Sequence, residues 1–196
     1  MNKYLLYAPL AIFGLTGLSL YLFFMQHTQA GSFKENLVPE LIGFCLEGFF
    51  WIGMLSYFQK TREHSRRKEL WLSLRGSLRS FLSYLDIGFL DNHAEPMSSQ
   101  DLESNPDIIA KMINHLESKD LDLESLILLK EASKDSIALV RDLVPVAAQL
   151  SAAHMSWWIA IGDALRQMKK ATGREDIEKN VDLLLKNLQE FDQLGY

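Results

Sequence analysis

Two sets of residues in this 196-residue sequence have the types and spacing to do chemistry. The first is Glu40, Gly43 and Glu47, which recur at i, i+3 and i+7 inside an apolar run and so share one helical face. A carboxylate at the depth of Glu47 costs about 2.5–3.5 kcal/mol to place in hydrocarbon, and such groups face a bundle interior or an aqueous cavity. Glycine beside it permits close helix approach. Two uses fit: a hydrogen bond to a neighbouring helix for packing alone, or a polar seam that lines a conducting path once helices rearrange.

The second set is Trp157 and Trp158, followed by Arg166, Lys169, Lys170 and Arg174. Aromatic faces stack nucleobases, and guanidinium and ammonium groups bind phosphate. The set therefore points to an anionic ligand with an aromatic part. The competing use is structural, with the tryptophans as core or subunit contacts and the basic run complementing a helix C-terminus.

Enzyme signatures are absent. The sequence has no Gly-rich phosphate loop, no His-Glu-x-x-His and no Gly-x-Ser-x-Gly. His27, His64, His93, His115 and His154 are scattered, and Asp120 with Asp122 reads as a helix start. The one cysteine, Cys45, lies in an apolar run and has no partner for a disulfide or a Cys/His metal site. The expectation is a non-enzymatic protein with neither metal nor cofactor.

The elements that must carry both sets begin in a membrane. Residues 4–25 are almost wholly apolar and, at about 1.5 Å per residue, long enough for a bilayer core of about 30 Å. Thr28-Gln29-Ala30 before Gly31 loosely resembles a signal cleavage site, but the apolar core is longer than the roughly 7–15 residues of a signal peptide. Residues 39–58 form a second apolar run, giving a membrane domain over 1–58. Net charge is −5 overall but unevenly spread. Lys60, Arg62, Arg66, Arg67 and Lys68, with Arg75 and Arg79 beyond them, form a basic collar directly after the second span. Excess positive charge marks the cytosolic side, so both termini are expected there, in a multi-pass membrane protein. The same collar can hold anionic lipid; duplex nucleic acid is not expected.

Over residues 59–90 the collar passes into an amphipathic linking helix, with Trp71, Leu74, Leu78, Phe81 and Leu85 spaced 3-4-3-4. That stripe fits a wall of the domain core or a self-association seam. No proline intervenes between Pro39 and Pro96, so the second span is expected to run into this helix. Residues 91–105 read as a polar loop. Residues 106–196 read as a helical domain: Asn105 and Pro106 open one helix, Asp122 another that Pro145 ends or kinks, and Thr172 with Glu175 fits a capping box for the last. The expected fold is all-α, two transmembrane helices followed by a cytosolic bundle of about five helices.

The Glu40-Leu41-Ile42-Gly43 block in an apolar span, the charged run over 62–67 and the Leu-rich helix after it resemble the membrane module of many small bacterial proteins. The whole architecture, two spans then a helical cytosolic domain, also resembles the membrane effectors accessory to type III CRISPR defence. That resemblance implies a cytosolic domain that senses a cyclic oligoadenylate, a homo-oligomer, and a membrane part that carries out an antiviral response. The alternatives are an adaptor whose cytosolic helices dock a protein partner and a constitutive pore-forming or stress-response protein.

Overall fold

The computed structural model of the protein describes residues 3–26, 32–90, 95–118 and 121–196, with the side chains of 3–9, Phe24 and 32–38 left aside. The cleavage-like Thr28-Gln29-Ala30, His27, His93, Asp120 and part of the expected 91–105 loop lie outside the described residues. Among those described there are nine helices and no strand: α1 (Lys3–Gln26), α2 (Ser32–Ser77), α3 (Arg79–Phe89), α4 (Ser99–Ser104), α5 (Asp107–Ser118), α6 (Leu123–Asp142), α7 (Val144–Leu150), α8 (Ala152–Lys170) and α9 (Arg174–Gln193). The chain divides into two compact units, Met1–Ser65 and Arg66–Tyr196, and α2 contributes to both.

In Met1–Ser65, α1 and α2 meet through glycines. A side chain at Gly17 would come within 3.1 Å of Cys45 and one at Gly48 within 2.8 Å of Phe13, while the rings of Phe13 and Phe44 lie 6.0 Å apart. Small residues let helix backbones approach this closely. Large apolar side chains such as Leu15, Leu18, Phe44, Leu46, Phe50 and Tyr57 point outward. One described helix, Pro39–Ser77, is long and apolar enough to cross a membrane, and α1 contributes the shorter apolar stretch Leu10–Phe23.

In Arg66–Tyr196 the 3-4-3-4 stripe is core. Trp71, Leu74, Leu78, Phe81 and Leu85 are all buried, which leaves none of them for a self-association seam. The helix that carries them breaks at Leu78 although no proline is present, directly after Gly76-Ser77, the kind of pair at which helices kink. Helices α8 and α9 pack along each other; α6 packs against α8 and α3, and α5 against α9 and α3.

Several helix ends form as their sequences imply. Asn105 Oδ1 accepts from the Asp107 amide at 3.0 Å, and Asp122 Oδ1 caps α6 through Ser125 at 2.6 Å. Others do not. The cap of α9 is Gly173, with no side-chain bond, so Thr172 and Glu175 form no capping box and both are exposed. Leu143 rather than Pro145 ends α6, and the proline sits in the first turn of α7, where its missing N–H is not needed. Ser151 then separates α7 from α8, and the polar stretch before Asn105 contains α4. The helix α4 and the break at Ser151 therefore bring the described helices after α2 to seven instead of about five.

Candidate ligand groove and polar latch

Helix α8 is started by Ser151, whose Oγ accepts from the His154 amide at 3.2 Å. One turn on, Trp158 turns inward and is wholly buried, its Nε1 donating to the Val140 carbonyl at 2.9 Å. Trp158, Gly162 and Arg166 are spaced 4-4 on α8 and face Ile137, Val140, Arg141 and Val144 of α6 and α7 across a groove of about 450 Å³. The floor is apolar. Two guanidiniums stand at its rim, Arg166 held by Asp163 at 2.8 Å and Arg141 beside Asp142 at 3.5 Å, both largely exposed. Asp163 also lines the groove, so an incoming anion must draw Arg166 away from it. Exposed pairs of this kind contribute only about 0–1 kcal/mol, whereas a phosphate offers a guanidinium two charge-assisted bonds.

Of the six residues expected to bind a ligand, the structure brings Trp158 and Arg166 together and separates the others. Trp157, one residue from Trp158 and thus about 100° round the helix, packs half-buried against the core. Lys169 and Lys170 are exposed in the last turn of α8, where they complement the helix C-terminus. Arg174 belongs to α9 and binds the Leu121 carbonyl and, at 3.0 Å, Glu178. The groove residues not foreseen are Arg141, Gly162 and Asp163. The 4-4 spacing of Trp158, Gly162 and Arg166 is the signal that finds Gly162; Asp163 and Arg141 show themselves only in the packing of α8 against α6.

A second polar site lies at the end of α2. Arg75 is fully buried and surrounded by four acceptors: Asp192 of α9, and the carbonyls of Leu102 at 2.9 Å, Asn105 at 3.0 Å and Glu103 at 3.3 Å. Asp192 is 3% exposed. Around them, Tyr196 lies 5.7 Å from the Trp71 ring with Lys68 6.0 Å above it, and His154 is held between Ser151 Oγ and the Gly195 carbonyl, each at 2.8 Å. The collar residues Lys60, Arg62, Arg66, Arg67 and Lys68 are all exposed, and within the helical unit Lys68 is engaged here and Arg66 with Gln149 of α7 at 3.3 Å. In Met1–Ser65, Glu40 and Glu47 are exposed, and no described atom comes within 4 Å of a side chain built at Gly43.

Burial pushes Asp192 up to about 7, against the pull of Arg75. Burial also lowers His154, helped by Arg67 and opposed by the Gly195 carbonyl. The signs follow. The folded protein holds a proton on Asp192 between about pH 4 and 7 that the unfolded chain releases, so this group's stabilisation is lost as pH rises through that window. His154 acts oppositely, and its contribution is lost as pH falls below its ordinary value of 6.5. Replacing Asp192 with asparagine is expected to remove the acidic-side slope. The stability difference should shift in favour of Asp192→Asn by roughly 2–4 kcal/mol between pH 4 and 8, measured by tryptophan-fluorescence melts of the full chain in detergent.

No family model matches the chain, and no curated protein or solved structure is similar to it.

Proposed function

We propose that the chain is a non-enzymatic sensor and effector anchored in the bacterial inner membrane, both termini on the cytosolic side. An anionic, base-bearing ligand binds in the groove between α6 and α8, and oligomeric transmembrane helices carry out the response. The observation that carries this is the groove: an apolar floor closed by Trp158 and Val140, Gly162 leaving room above it, and Arg141 and Arg166 at the rim. Its volume of about 450 Å³ suits a small molecule. The outward-facing apolar side chains of Met1–Ser65 support the anchor, and basic residues on its cytosolic flank support contact with anionic lipid. A cyclic oligoadenylate and a role in antiviral defence come from the architectural resemblance to CRISPR-accessory effectors; a ring larger than one groove would be shared between copies in a homo-oligomer.

Isothermal calorimetry of the full chain in nanodiscs, titrated with cyclic tetra-adenylate, tests this. Wild type should give saturable heat, and Arg166→Ala should bind at least tenfold more weakly. A titration without heat overturns the ligand. The apolar lining formed by Ile137, Val140, Val144, Pro145 and Ile159 favours a second use, an adaptor in which a partner's amphipathic helix takes the groove. In that case Arg166→Ala changes little, and Ile159→Glu abolishes partner binding.

A further inference from the structure

The geometry points to a switch that joins the groove to the end of α2: filling the groove at Trp158 loosens the latch that ties residues 68–77 to residues 192–196. It rests on the groove being an occupied site, and it adds how occupancy would be reported. Trp158 belongs to both places. It lines the groove together with Val140, to whose carbonyl it donates, and its ring lies 5.5 Å from that of Phe191. Phe191 also receives His154 edge-on at 5.1 Å and directly precedes Asp192. Asp192 holds Arg75, His154 holds the Gly195 carbonyl, and Tyr196 covers Trp71. From groove floor to α2 the steps are ring contacts (Trp158–Phe191, His154–Phe191, Tyr196–Trp71), one buried ion pair (Asp192–Arg75), one side-chain bond to a main-chain carbonyl (His154–Gly195) and the backbone between Phe191 and Asp192, and a close-packed interior passes a displacement on rather than absorbing it.

The latch is also poised to open. Trp71 Nε1 and Asp192 Oδ1 are buried without a hydrogen bond. A buried polar atom without a partner is costly, and that cost is relieved when residues 192–196 undock and water reaches it. Docked and undocked forms are the two states that coupling requires. At the other end, a side chain placed at Gly162 already starts 3.4 Å from Val140 Cγ1, so a larger one there fills the groove and presses on its floor.

Hydrogen exchange on the full chain in nanodiscs reads both ends, with Gly162→Phe as a tethered occupant. Amides over 68–77 and 192–196 should exchange at least tenfold faster than in wild type, and those of α5 within twofold. With Phe191→Leu added, the acceleration over 68–77 should vanish, because the relay is cut. Acceleration confined to 137–145 and 158–166 overturns the switch. Tyr196→Ala, at a half-exposed position, runs the coupling backwards and guards against a Gly162→Phe variant that fails to fold. Coupling is reciprocal, so loosening the latch should speed groove amides at least threefold, and unchanged groove amides in this variant overturn the switch as well. These outcomes are independent of the calorimetry, which can fail for cyclic tetra-adenylate while the two ends remain coupled.

Discussion

Replacing Arg75 with methionine is expected to destabilise the Arg66–Tyr196 unit by about 3–5 kcal/mol, read as a lowered urea midpoint of the full chain in detergent. Methionine fills much of the space of the arginine stem, so a cavity contributes little. The loss comes from what the guanidinium leaves behind: Asp192, 3% exposed, and the carbonyls of Leu102, Glu103 and Asn105, which no longer have this donor. Four acceptors in different directions match the guanidinium's fan of donors, so no other side chain of similar size can replace all of its bonds. Adding Asp192→Leu should restore part of the loss, since removing both members of a buried pair is far cheaper than removing one, but not all, because the three carbonyls stay bare. A cost below about 1 kcal/mol for Arg75→Met would mean that residues 192–196 do not hold α2.

Arg75 also shows where sequence is mute. In the linear chain it stands among the collar arginines and counts as one more positive charge after an apolar span. Its acid partner is 117 positions away, and burial distinguishes it from Arg79, an exposed residue paired with Glu103 at 3.0 Å. Nothing in local spacing marks that difference. What local spacing does mark is the wall of the core, because Trp71, Leu74, Leu78, Phe81 and Leu85 must share a face whether or not the helix breaks among them. The break at Leu78 has no proline to mark it, only the weaker signal of Gly76-Ser77. Trp157 and Trp158 looked like one aromatic platform because they are neighbours in sequence, yet on a helix neighbours diverge, and only Trp158 reaches the groove. The capping box at Thr172 failed for a similar reason: Gly173 takes the cap one residue later, where Arg174 reaches back to Leu121.

The second large effect concerns Glu47. It is exposed on α2, within the helix long and apolar enough to cross a membrane, and Gly43 one turn before it has open space about it. A carboxylate left in hydrocarbon costs about 2.5–3.5 kcal/mol, so a span that keeps one is more stable when a polar neighbour or water covers it. Glu47→Leu removes that requirement and should make insertion easier, while removing the carboxylate that the proposed effector needs along its conducting path. Ligand-triggered efflux of a fluorophore from proteoliposomes should then fall at least tenfold, with groove binding unchanged. Glu47→Gln keeps the hydrogen-bonding shape without the charge and should retain more efflux than leucine.

Efflux from liposomes holding the purified full chain, followed on addition of cyclic tetra-adenylate, joins groove, latch and membrane in one reading. The expected result is efflux that depends on ligand, needs at least tenfold more ligand in Arg166→Ala, and is largely lost in Glu47→Leu. Equal efflux without ligand, or none at a ligand concentration that saturates the calorimetric heat, would contradict a ligand-gated membrane effector.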